Sequence, residues 1–136
     1  MKPPAARRSI SVGEERRTAR LRDRDRAPTL RSAFPKVEQI RIELTFSDPN
    51  HAAPSPQSFS FFPPANAFFR FACPCLDCDG EFDVGERVAK LAAGPGRANR
   101  SANAQQSCLG ARARDRITGI RCPITLECRI VLTAAS

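Results

Sequence analysis

The sequence predicts a small α+β domain: an antiparallel β-sheet with one short helix and a cluster of cysteines, behind a disordered N-terminal tail. Three observations lead there. Residues 37–46 and 120–132 alternate apolar and polar side chains with the period of half-buried strands. Residues 83–91 carry apolar side chains at helical spacing behind a capping residue. The six cysteines fall into two groups, at 73, 75 and 78 and at 108, 122 and 128.

The tail is read from charge and composition. Residues 1–33 hold ten Lys/Arg against four Asp/Glu, so most of the formal charge of +8 lies there and residues 34–136 are close to neutral. Few large apolar side chains accompany those arginines, too few to offset the entropy of ordering the segment. A transient helix over 16–26 is the most order expected of it, with Glu15 placed to pair with nearby arginines. Glu14, Glu15, Asp23 and Asp25 argue against a mitochondrial targeting peptide. The domain organisation that follows is a basic tail, 1–33, and a single α+β domain, 34–136.

Order is expected to begin at Phe34-Pro35. In 37–46, Ile40, Ile42, Leu44 and Phe46 share one side and Arg41, Glu43 and Thr45 the other. Asp48-Pro49-Asn50 stops that strand. The proline-rich stretch to Pro64 reads as a loop with a short extended piece at 59–61, and His51 within it reads as a solvated side chain. A second strand is expected over 67–73, with Phe69, Phe71 and Cys73 on one face. Asp83 then caps a helix of about three turns, with Glu86 at capping-box spacing and Gly94-Pro95 as its stop. Val84, Val88 and Leu91 form its apolar stripe. Residues 94–106 read as a flexible surface loop.

The end of the chain reads as a β-hairpin. One arm covers 108–114, the turn lies within 115–119, and the other arm covers 120–132. Cys122, Ile124, Leu126, Cys128, Ile130 and Leu132 share a face of the second arm, while Thr125, Glu127 and Arg129 point the other way.

Structural zinc takes four ligands, most often thiolates, and two pairs from separate segments close such a site. Spacing leaves the first pair open between Cys75-x2-Cys78 and the wider Cys73-x4-Cys78, with Gly80 following to allow the turn. Cys108 and Cys122 are equidistant from Asp115, so a hairpin reversing there sets them across from one another. Cys128 stands between Leu126 and Ile130, where a buried apolar residue belongs and a free cysteine fits. The candidate metal set is therefore Cys73, Cys78, Cys108 and Cys122, with Cys75 as the alternative to Cys73 and Zn2+ as the cofactor. Arg112, Arg114 and Arg121 are expected near enough to offset the charge of four thiolates. A dithiol reading of Cys75 and Cys78 competes, but Asp77, Asp79, Glu81 and Asp83 would disfavour a free, reactive thiolate.

Phe71-Ala72-Cys73-Pro74, with Asp77-Cys78-Asp79-Gly80-Glu81-Phe82-Asp83, resembles a family of small uncharacterised bacterial proteins that carry a zinc-ribbon-like cysteine set. The resemblance runs from Phe34-Pro35-Lys36-Val37 through Cys122 to the last strand and leaves residues 1–33 outside. It implies a metal held by a similar fold. It also favours Cys73 over Cys75, because an aromatic residue can occupy the family's equivalents of Cys75 and Cys128. It brings no activity with it.

The function classes narrow accordingly. With one histidine, no Gly-x-Ser-x-Gly elbow, no phosphate-binding glycine loop and no His-Glu-x-x-His, the chain offers no catalytic constellation and is not expected to be an enzyme. No apolar run reaches the roughly 18 residues of a membrane span, and no secretory signal opens the chain, so cytoplasmic thiols in a reducing environment are expected. A structural-zinc module with a protein partner is the first expectation. Nucleic-acid binding through the arginine-rich tail is the second. It is opposed by a near-neutral folded part and by flanking prolines that suggest Phe59, Phe61 and Phe62 pack as a loop plug instead of a stacking platform.

Overall fold

The computed structural model of the chain describes residues 12–49, 55–75, 78–94, 99–110 and 119–134. Its organising element is the long strand β1 (Val37–Ser47), whose apolar members Ile40, Ile42, Leu44 and Phe46 are each 2% exposed or less. The strand β6 (Thr125–Ala134) runs antiparallel beside it, with Ile40 opposite Leu132, Ile42 opposite Ile130, Leu44 opposite Cys128 and Phe46 opposite Leu126. Directly opposed residues share a face, so the two alternating patterns combine into one apolar surface. β2 (Gln57–Phe61) extends the sheet beyond β1 and β5 (Arg100–Ser107) extends it beyond β6, giving the order β2-β1-β6-β5.

A second layer covers the apolar face. Its parts are a two-stranded ladder, β3 (Arg70–Ala72) with β4 (Glu81–Asp83), and the helix α3 (Gly85–Ala93). Phe82 of β4 is 1% exposed and meets Phe46 with ring centroids 5.6 Å apart. Phe69 packs edge-on against Phe61 at 5.0 Å. Val84 and Val88 are fully buried, as the helical stripe predicts. The architecture is thus the small α+β fold expected, with its core between a sheet and a hairpin-plus-helix layer.

Several elements differ from the sequence reading, each for a physical reason. Residues 94–106, read as a loop, contain β5. Its inward positions are Arg100, Ala102, Ala104 and Gln106, small or polar residues that leave no apolar alternation to read. Arg100 uses its inward place to donate from Nη1 to the carbonyls of Leu91 (2.7 Å) and Gly94, satisfying acceptors that the end of α3 leaves open. The expected second strand is shorter than 67–73, because Ala67 N–H turns instead to the Pro28 carbonyl at 2.7 Å. The helix is capped one residue later than expected, at Val84, which brings no side-chain bond. Asp83 ends β4 and accepts from Gly85 N–H at 2.8 Å, and Glu86 pairs with Lys90 at 3.3 Å.

Order also begins earlier than Phe34. Residues 12–33, within the expected tail, form α1 (Val12–Arg26) and the short α2 (Leu30–Ala33). Leu30 is fully buried, and its N–H donates to the Ala65 carbonyl at 2.7 Å. Thr29 caps α2 by accepting from Ser32 N–H at 3.3 Å. One apolar side chain seated this deeply holds a segment that composition alone consigns to solvent. Residues 1–11, His51 and residues 111–118, where most of the turn expected within 115–119 falls, lie outside the described residues.

Candidate metal centre

Each of the four candidate ligands stands at the end of a strand. Cys73 follows β3, and its N–H donates to the Gly80 carbonyl (3.2 Å), which closes the β3–β4 ladder at that end. Cys78 opens the turn back into β4, its N–H reaching the Cys75 carbonyl at 3.2 Å. Cys108 follows β5 and Cys122 precedes β6. There the antiparallel pairing continues past the strand ends, with Cys108 N–H on the Ile124 carbonyl (2.9 Å) and Cys122 N–H on the Gly110 carbonyl (2.8 Å).

These placements bring the sulfurs together. Cys73, Cys78, Cys108 and Cys122 are all buried, at 1%, 2%, 1% and 4% exposure. Their four Sγ atoms lie within 4.8 Å of one another, with Cys73 to Cys122 at 3.8 Å and Cys78 to Cys108 at 3.4 Å. A tetrahedron with metal–sulfur bonds near 2.3 Å has edges of about 3.8 Å. All six cysteines are free thiols. The cluster is a site that could hold a metal.

Backbone donors surround the sulfurs. Gly80 N–H donates to Cys78 Sγ at 3.2 Å. The N–H of Cys75 does the same for Cys73, that of Gly110 for Cys108 and that of Ile124 for Cys122. Every sulfur thus accepts from the residue two positions downstream. Such bonds favour thiolate over thiol and fix the direction of each lone pair, the task outer partners perform around metals.

Charge within the cluster is unevenly shared. Hydrogen bonding from Cys73 holds the Cys108 thiol down to about 6. The same bond keeps the Cys73 proton in place, and burial adds to that upward shift. Burial pushes Cys78 up to about 12 and raises Cys122 as well. One negative charge can therefore be spread over the four sulfurs, but further ionisation in this buried place needs a cation among them.

The remaining cysteines separate cleanly. Cys75 is half-buried, packs against the core and stands outside the four-sulfur group, so the structure brings together Cys73 and not its alternative. Cys128 is 3% exposed on the sheet's apolar face, opposite Leu44 on one side and Ala104 on the other, and burial pushes its thiol up to about 11. The expected register needs correcting: Cys108 faces Ile124 and Cys122 faces Gly110, two residues away from the direct opposition inferred from Asp115. Of the expected strand arm at 108–114, residues 108–110 follow β5, which ends at Ser107, and 111–114 lie outside the described residues. The sulfurs meet because both stand past their strands on the same side of the continuing ladder.

Among the expected charge partners, Arg112 and Arg114 lie outside the described residues and Arg121 is exposed. Of the nearby acids, Glu81 is engaged by Arg70 at 3.1 Å and by Arg20 at 3.6 Å. Phe61 packs on Phe69 and Phe59 on Phe71 (5.1 Å), while Phe62 is 52% exposed. The sequence reading missed Gly110, although Cys108-Leu109-Gly110 repeats the Cys-x-Gly spacing of Cys78-Asp79-Gly80.

Comparison with family models, with curated proteins and with solved structures finds no match for the chain. The functional argument therefore rests on the residues of the cluster and what surrounds them.

Proposed function

We propose that the protein is a structural-zinc module that serves protein–protein interaction, with Cys73, Cys78, Cys108 and Cys122 holding one Zn2+. The observation that carries this is the convergence of four buried sulfurs from two distant segments, each with a backbone N–H donor. Four soft thiolates and no histidine suit Zn2+ over harder cations. A site whose four ligands all come from the protein leaves no open position for water or substrate, which argues for a structural role and against an enzyme. Exposed Phe62, Leu109 (72%) and Ile120 (60%) offer apolar contacts for a protein partner. A reducing, cytoplasmic setting suits six free thiols. No helix among the described residues is long and apolar enough to cross a membrane.

A nucleic-acid reading draws on α1, where Arg16, Arg22, Arg24 and Arg26 are exposed. It is weaker because Asp25 lies 3.4 Å from Arg24 and Asp23 is engaged by Arg70. Elemental analysis of protein purified without added metal tests the zinc reading, with one zinc per chain expected and a metal-free folded protein as the contrary result. DNA or RNA binding by the full chain that falls when Arg16, Arg22, Arg24 and Arg26 are together replaced by Gln would favour the nucleic-acid reading, and no binding to either favours the interaction module.

A further inference from the structure

α1 is tied to the fold by charged side chains. It presents no apolar stripe, and Leu21 is 50% exposed. Among its described side chains the buried one is Arg20, 8% exposed, whose Nη1 lies 3.6 Å from Glu81 Oε2. Glu81 also accepts from Nε and Nη2 of Arg70 at 3.1 and 3.4 Å, and Arg70 Nη1 turns to Asp23 of α1 at 3.1 Å. Alternating charges thus tie the helix to the β3–β4 hairpin. The tie is a loose one, because Arg20 Nη1 is buried with no hydrogen-bond partner among the described residues. The segment after α1 is fixed quite differently, by backbone bonds from Leu30, Arg31 and Ala67 to the Ala65, Pro63 and Pro28 carbonyls.

Glu81, the centre of that tie, is positioned by the cysteine cluster. It follows Gly80 directly and pairs with Ala72, the residue before Cys73. The ladder that holds it has three residues a side, too few to stand alone. Its end is closed by Cys73 N–H on the Gly80 carbonyl, which joins one sulfur-bearing residue to the glycine that donates to the Cys78 sulfur.

We infer that docking of α1 is linked to metal at the cluster: a filled site fixes the hairpin end and holds the arginine helix down, and an empty site releases it. The inference rests on the metal reading above. Linkage is reciprocal, so undocking the helix from its own side must weaken metal affinity, by at most the factor by which metal favours docking.

The test uses the full chain loaded with Zn2+. Zinc affinity is measured by competition with a chromophoric chelator, and amide hydrogen exchange follows residues 12–26. Arg20→Gln is expected to raise exchange across α1 by roughly tenfold and to weaken zinc binding about fivefold. Arg22→Gln, at an exposed position, should change neither. Stripping zinc from the unaltered chain should raise α1 exchange to a similar extent. Equal zinc affinity in the unaltered chain and Arg20→Gln overturns the linkage, whether or not the stripped protein stays folded. Equal α1 exchange with and without zinc overturns it too. A chain that takes up no zinc fails at the metal reading instead, and elemental analysis of the same sample separates the two failures.

Discussion

Gly80 and Gly110 meet backbone to backbone beside the sulfur cluster. A β-carbon on Gly110 would lie 2.6 Å from Gly80 Cα, and one on Gly80 would overlap Cys108 Sγ and stand 3.2 Å from Cys78 Sγ. Each glycine stands two residues after a clustered cysteine and donates its N–H to that sulfur. The close approach of the two turns is what lets the sulfurs converge, and only the smallest residue permits it.

Alanine at either position should therefore act on the metal and not only on the fold. Gly110→Ala must move the backbone of Gly80, and Gly80→Ala must move a sulfur. A stability loss of about 1–3 kcal/mol is expected from the overpacking alone, together with less than one zinc per chain. Thermal unfolding and elemental analysis of the two variants check this; full zinc content in both would contradict it.

Serine substitutions should sort the cysteines by place. Cys73→Ser, Cys78→Ser, Cys108→Ser and Cys122→Ser are each expected to lower zinc content. Cys75→Ser should leave it at the original level. Cys128→Ser should keep the metal yet lose about 1–3 kcal/mol, because a hydroxyl would be buried on the apolar face. Metal content and denaturant midpoint, measured on all six, give the comparison.

Cys128 also makes a pH dependence. Burial raises its folded-state pKa from an ordinary 9.0 to about 11. The folded protein thus keeps this proton more tightly than the unfolded chain. Its contribution is fully present below pH 9 and is lost as pH rises through about 11. The loss should be of the order of 2–3 kcal/mol, read as a falling urea midpoint over that window. Cys128→Val, which has no proton to lose, should flatten that part of the curve; an unchanged fall would assign it to other groups.

Arg100→Met should uncap α3. It removes donors to the Leu91 and Gly94 carbonyls while keeping much of the side chain's apolar length. A loss of about 1–2 kcal/mol is expected, with faster amide exchange confined at first to the last turn of α3 and with metal content unchanged.

Much of this molecule was legible wherever burial is one-sided and repeated. β1 and β6 could be read from alternation because each puts an unbroken apolar row on one face, and α3 from Val84 and Val88. β5 could not, since its inward side is Arg100, Ala102, Ala104 and Gln106. α1 was legible as a transient helix over 16–26 but its docking was not, because a helix held by Arg20 and Asp23 leaves no apolar stripe in the sequence. Clustering of Cys73, Cys75 and Cys78 pointed to the site, and the position of Cys128 in an apolar row set it apart.

By itself, then, the chain's order of residues determined the α+β class, the two long strands, the helix after Asp83 and the candidate set of Cys78, Cys108 and Cys122 with either Cys73 or Cys75. It could do so because those properties follow from local periodicity and from side-chain chemistry. Tertiary structure alone decided that Cys73 and not Cys75 joins the group, that Cys108 faces Ile124, and that α1 reaches Glu81. Each of these depends on how separate segments are brought into register, and register is set by the summed packing of the whole sheet and its covering layer.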